Sequence, residues 1–297
     1  MTDQVRAYRR LEGDLIRSGR VVLQVGERFF DLTEKIFQSG EAALLSSLTA
    51  RGFFAPEHFG DWLESANLKP VLPIQDDDEL LAPFLPIEVG KIVALGKNFV
   101  EHAAEFKEEV PKEMMYFNKL AEGMCGHNQV VYPPLGYEDR FDHEVELAVY
   151  IGQLTQAVSP DDALQSVSGF SVANDLTLRT LQGEDRKERY PWFRSKNFDR
   201  ACPIGPCFVP ASSLDVSSLR ITAHVNGELR QSATTADFVV SIAQAISTLS
   251  HHMTLYSGDI LLMGTPSGVG PLKEGDQVVC EIEGIGVLAN TFKRPEN

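Results

Sequence analysis

Asp142-His143-Glu144-Val145-Glu146-Leu147-Ala148-Val149-Tyr150-Ile151-Gly152 decides how this chain is read. Side chains of a strand alternate with a period of two. Val145, Leu147, Val149 and Ile151 therefore form one apolar face, and Glu144 and Glu146 project from the other. Two carboxylates spaced this way stand ~7 Å apart, near enough to converge on one ion. On a covered face the pair is costly unless a cation or protons neutralise it. A strand with a solvated acidic face fits the same pattern.

A second strand over 169–173 ends at Asn174-Asp175, which brings in a third carboxylate. Glu144, Glu146 and Asp175 would make a hard, all-oxygen site suited to Mg²⁺, Mn²⁺ or Ca²⁺ rather than Zn²⁺. Mg²⁺ keeps coordination positions for water or substrate, so three protein ligands leave an ion open for chemistry.

Upstream, 90–96 reads as a strand, and Asn98 with Glu101 reads as a capping box opening a short helix. His102 and Glu105 lie three apart and share a face of that helix. A carboxylate beside an imidazole raises its basicity, as a general base activating water requires, although exposed His–Glu pairs also occur as plain surface. Lys196, in Arg194-Ser195-Lys196-Asn197-Phe198-Asp199, reads as a carboxylate anchor, an enolate stabiliser or a surface lysine. The turn Gly264-Thr265-Pro266-Ser267-Gly268-Val269-Gly270 could present backbone amides to an anion, but it has no Walker lysine and opens no helix. Downstream, Thr234 with Asp237 signals a cap before a helix with its apolar stripe on Phe238, Ile242, Ala245, Ile246, Leu249 and Met253. Strands are expected over 259–263, 277–282 and 287–292. With no repeat and no βαβ alternation, the class is α+β around a mixed or antiparallel sheet.

The first 75 residues have a different texture: a hairpin over 21–25 and 29–32, then helices near 41–48 and 56–66. Residues 76–90, opening on Asp76-Asp77-Asp78-Glu79 and rich in proline, read as a solvated linker, with the main domain over 91–297. The chain has 297 residues, 43% of them hydrophobic, enough for a core. Forty-two acidic against 27 basic residues give a net charge of −15, which argues against nucleic-acid and anionic-membrane partners. With no secretory signal, no spanning apolar run and four scattered cysteines, a cytoplasmic protein with free thiols is expected.

Five ordered motifs resemble the fumarylacetoacetate hydrolase family. They are Gly-Lys-Asn-Phe-x-x-His-x-x-Glu from Gly96, Asp-His-Glu-Val-Glu-Leu-Ala-Val from Asp142, Asn-Asp-x-x-x-Arg-x-x-Gln from Asn174, Lys-x-Phe-Asp-x-x-x-Pro-x-Gly-Pro from Lys196, and Gly-Asp-Ile-x-x-x-Gly-Thr-Pro-x-Gly-Val-Gly from Gly258. The resemblance runs from about Lys91 to Phe292. It implies a mixed β-sandwich roll in a homodimer. It further implies metal ligation by Glu144, Glu146 and Asp175, a water-activating pair His102 and Glu105, and a charge-stabilising Lys196. Lys119, Arg179, Gln182 and Thr265 are implied at the substrate, and 183–192 as a cover. The implied reaction is Mg²⁺-dependent hydrolysis of a C–C bond in an acylpyruvate-like 1,3-diketo acid through a chelated enolate. Oxaloacetate-type decarboxylation and hydroxymuconate-type isomerisation use the same centre. A non-catalytic metal-binding scaffold is the reading from another class.

Overall fold

The computed structural model describes residues 5–11, 19–33, 63–101 and 112–295. His102, Glu105 and the expected helices over 41–48 and most of 56–66 lie outside those residues. Among the described residues the chain is mainly strand. The strands used below are β1 (Val5–Arg10), β2 (Arg20–Val25), β3 (Arg28–Asp31), β4 (Ile92–Gly96), β5 (Met115–Lys119), β6 (Val145–Ile151), β7 (Val167–Asn174), β8 (Cys202–Pro210), β9 (Arg220–Val225), β10 (Glu228–Thr234), β11 (Ile260–Leu262), β12 (Gln277–Ile282) and β13 (Gly286–Phe292). Three helices matter: α1 (Arg179–Lys187), α2 (Phe193–Lys196) and α3 (Ile242–His252).

The large sheet runs β3-β2-β1-β8-β7-β6-β11-β4-β5. Along this path the pairings are antiparallel except β11 on β4, and off it Met124–Cys125 pairs with β8 in parallel, so the sheet is mixed as expected. A second sheet, β10-β9-β12-β13, packs against it. Val145, Leu147, Val149 and Ile151 of β6 meet Ile221, Val278, Cys280 and Leu288 across that interface, and Ile246 and Leu249 of α3 join them. Each such side chain removed from water contributes about 1.5–3 kcal/mol.

The opposite face of β6 is covered as well, which settles the fate of its acidic pair. Beyond Glu146 that face continues as Ala148 and Tyr150, both fully buried in a second cluster with Leu23, Phe84, Ile204 and Phe208. A wet acidic strand face is therefore not what forms.

Three local expectations are corrected. Residues 76–90 are only partly solvated: Asp76, Asp77 and Glu79 are exposed as expected, but Leu80 and Phe84 are buried, the Phe84 ring lies 4.9 Å from Tyr150, and Arg10 pairs with Asp78 at 3.0 Å. Beside this segment Val5–Arg10 form β1, which pairs with β2 and sets Ala7 opposite Phe208 of β8. The Thr234–Asp237 box closes only a single tight turn, while α3 is capped by Ser241 with Gln244. Asn98 is likewise occupied elsewhere: its Nδ2 donates to the Met263 carbonyl at 2.8 Å and its Oδ1 accepts from Val240 N at 2.7 Å. All four cysteines are buried free thiols. No helix among the described residues is long and apolar enough to cross a membrane.

Candidate active site

Register builds the site. In the antiparallel β6–β7 ladder Val145 faces Asn174 and Glu146 faces Ala173. One step further, Asp175 N donates to the Glu144 carbonyl at 2.9 Å, so Asp175 stands across from Glu144. Asn174 Oδ1 accepts from Glu144 N at 2.9 Å and pins the junction. Residues 31 apart in sequence thus become neighbours, and the small Ala173 opposite Glu146 leaves its carboxylate room. Carboxylate oxygens of Glu144, Glu146 and Asp175 all lie within 4.8 Å of one another, and all three residues are buried.

Cations ring this cluster. Lys196, at the end of α2 and 2% exposed, donates to Glu144 Oε2 at 2.8 Å and to Asp175 Oδ2 at 2.5 Å. Burial alone would lower the Lys196 pKa, but Asp175 and Glu144 outweigh it and hold the ammonium charged. Arg179, at the start of α1, contacts Glu144, Asp142 (2.8 Å) and Gln182 (2.7 Å). Lys119 lies 2.8 Å from Asp175 Oδ1 but donates its hydrogen bonds to the carbonyls of Ala201 and Leu176. It holds the backbone behind Asp175 and is not among the side chains that line the cavity.

Two features fit the cluster to a divalent cation. Asp175 Oδ1 is buried without an aligned hydrogen-bond donor. Glu146 is pushed well above the usual carboxylate range by burial and then by the charges of Asp175 and Glu144. The excess negative charge around Glu146, and an Asp175 oxygen that accepts no aligned hydrogen bond even with Lys119 2.8 Å away, leave a place for a cation, and the donors are all oxygen. Glu144, Glu146 and Asp175 could hold Mg²⁺ or Mn²⁺.

Gly264 explains the turn after β11. Its φ of +86° favours glycine, and a Cβ there would meet Asn98 at 2.8 Å. The turn does present an amide to an anion, but the anion is internal: Gly264 N donates to Glu146 Oε2 at 2.7 Å. Thr265 follows it on the wall of a cavity of about 180 Å³, together with Glu144, Glu146, Arg179, Gln182 and Lys196.

Sequence reasoning did not find Gln231, although it is fully buried on an otherwise exposed strand. Its Nε2 donates to Thr265 Oγ1 and to the Pro266 carbonyl, both at 2.8 Å. Its Oε1 accepts from Val145 N at 3.1 Å and faces His143 Nδ1 at 3.1 Å. A backbone acceptor on one side and a backbone donor on the other fix the amide's orientation, so His143 carries its proton on Nδ1. Asp142 and Lys97 were also missed as site residues, whereas Arg186 and Trp192 fall within the expected cover. Asp142 orients Arg179, and the other three line the cavity. Segment 183–192, expected as a cover, supplies part of α1 and is tied to α2 by Arg194 on Asp185 at 2.7 Å.

Residues 91–293 match the model of the fumarylacetoacetate (FAA) hydrolase C-terminal family. The chain belongs to this family. The bovine mitochondrial oxaloacetate tautomerase FAHD2B is 41% identical over 235 residues, covering 76% of this chain and 72% of that protein. The 5-carboxymethyl-2-hydroxymuconate delta-isomerase of Mycobacterium smegmatis has a similar structure, with a TM-score of 0.74 and 29% identity over 98% of this chain and all of that one. Fumarylpyruvate hydrolase of Pseudomonas aeruginosa, solved with Mn²⁺ and pyruvate, gives a TM-score of 0.66 and 28% identity over 76% of this chain and 98% of that one. The family thus holds hydrolases, isomerases and tautomerases.

Proposed function

We propose that this chain is a Mg²⁺-dependent enzyme that interconverts the keto and enol forms of a small keto acid through a stabilised enolate. The observation that carries this reading is Lys196, a buried ammonium held between two of the three clustered carboxylates on the cavity wall. Mg²⁺ held by Glu144, Glu146 and Asp175 would supply Lewis-acid polarisation of the keto group.

The chain's own residues do the rest. Lys196 places a fixed positive charge where the enolate oxygen develops, in a desolvated site that strengthens the interaction. Thr265 accepts from Gln231, which leaves its hydroxyl hydrogen free to donate to the substrate carboxylate. Arg179, braced by Asp142 and Gln182, is oriented before substrate arrives. Likeness to the bovine tautomerase and the mycobacterial isomerase supports keto–enol chemistry.

The second reading is hydrolysis of a C–C bond in an acylpyruvate-like acid, favoured by likeness to the fumarylpyruvate hydrolase. It needs His102 and Glu105 to activate water. Decarboxylation of oxaloacetate would pass through the same enolate. Mg²⁺-loaded protein should be offered oxaloacetate, acetylpyruvate and fumarylpyruvate, with keto–enol exchange and cleavage followed separately. Faster exchange without cleavage supports the first reading; cleavage abolished by His102→Ala supports the second. If neither occurs, a non-catalytic scaffold is what remains.

A further inference from the structure

Glu184-Asp185-Arg186-Lys187-Glu188-Arg189 is an unbroken run of charged residues, and Asp185 alone among them is buried. A carboxylate taken out of water is costly unless it is paired and hydrogen-bonded. The pairing comes from α2: Arg194 brings Nε and Nη2 to the same oxygen, Asp185 Oδ1, each at 2.7 Å. The Asp185 backbone carbonyl also accepts from Tyr190 N at 2.7 Å, within the link between the two helices. One residue of α1 thus grips both the link and the helix beyond it. Among the described residues Asp185 Oδ2 is buried without a hydrogen-bond donor, so Arg194 is what compensates the charge.

This grip lies two residues from Lys196. The start of α1 is fixed separately, by Arg179 N donating to the Arg140 carbonyl at 2.8 Å. The end of α2 is fixed by Asn197, whose Nδ2 donates to the carbonyls of Phe193 at 2.9 Å and Asn118 at 3.1 Å. Asp185 and Arg194 close the remaining side, where the end of α1 meets the start of α2. Neither lines the cavity, so both act on its contents only through the helices. Here Glu144 and Asp175 hold the Lys196 ammonium. A divalent cation on those carboxylates would draw on the same oxygens and repel the ammonium. The place of Lys196 then depends on where α2 sits.

We propose that Asp185 and Arg194 are positioning residues for Lys196, a clasp between α1 and α2 that keeps the ammonium aimed at an anion bound in the cavity. The inference rests on the keto-acid reading, in which Lys196 faces the enolate oxygen.

The test is calorimetric binding of oxalate, whose paired oxygens mimic a chelated enolate, to the Mn²⁺-loaded protein. Arg194→Gln alters a half-exposed side chain and should fold; Asp185→Asn keeps the shape and removes the charge. Each should weaken oxalate binding about five- to tenfold, the scale of one charge-assisted contact, with Mn²⁺ affinity unchanged. The double variant should lose no more than the worse single one, and Arg194→Lys should recover part of the loss. In a Lys196→Met background Asp185→Asn should add nothing to the loss of oxalate affinity. A clasp that only stabilises the fold predicts the same further loss there, and that result would overturn the positioning role. Oxalate binding that ignores both single variants would overturn it too, leaving the keto-acid reading intact. If oxalate does not bind wild type, the keto-acid reading fails and the positioning role with it.

Discussion

Gln231 Nε2 donates to Thr265 Oγ1 at 2.8 Å, joining β10 of one sheet to the turn that follows β11 of the other. The bond fixes the role of the threonine, whose lone pair is engaged and whose proton is available. Gln231→Glu keeps the shape but cannot donate, so Thr265 must turn its proton toward the new carboxylate. Loss of one hydrogen bond, worth about 1–1.5 kcal/mol, predicts a KM raised about tenfold with kcat changed far less. An equal fall in kcat and kcat/KM would contradict this positioning role.

Lys196→Met is expected to separate stability from chemistry. Removing the ammonium leaves Glu144 and Asp175 facing each other in a buried site, a loss of about 3 kcal/mol for a broken buried pair. In chelator the variant should therefore melt well below wild type. A divalent cation should return most of the loss, while turnover stays low. A variant whose melting temperature ignores added Mg²⁺ or Mn²⁺ would break the link between Lys196 and a cation site.

Gly264→Ala strikes Glu146 from a distance. The added Cβ meets Asn98 at 2.8 Å and the φ of +86° is strained for alanine, so the amide that holds Glu146 must shift. Loss of a group that orients a ligand costs roughly 10–100-fold in metal affinity. Titration calorimetry with Mn²⁺ checks this, and unchanged affinity would count against Glu146 as a ligand.

How much of this was legible in the sequence follows from the range of each interaction. Alternation along 145–151 specified the strand and sent Glu144 and Glu146 to one face. The exit of the 169–173 strand offered Asp175 as a third carboxylate and the ordered motifs agreed, but its partnering with Glu144 is a matter of register, which no local pattern encodes. Gln231 was invisible because its neighbours on β10 are polar and exposed, and its burial comes from the turn at 264–266 closing over it. Over 76–90 composition described the exposed acidic run but not the buried Leu80, Ala82 and Phe84 that follow it. Asp78 and Glu88 pair with Arg10 and Arg9 of β1, and Phe84 packs against Tyr150 and Phe208, all more than sixty positions away and so outside any local pattern.

That packing gives a fourth prediction. Phe84→Ala should cost about 3–5 kcal/mol, as a buried aromatic does, because its ring contacts Tyr150 and Phe208 at 4.9 and 5.3 Å. Denaturant unfolding measures it. A change under about 0.5 kcal/mol, the usual result at an exposed site, would restore the linker reading.

The central claim is that Glu144, Glu146 and Asp175 hold a divalent cation open to a keto acid. A crystal soaked with Mn²⁺ and oxalate, examined by anomalous scattering, tests it most directly. The account predicts one strong peak with an oxygen of each of the three carboxylates about 2.0–2.3 Å away and oxalate completing the coordination. A peak elsewhere, or none with Lys196 still bridging Glu144 and Asp175, would contradict it.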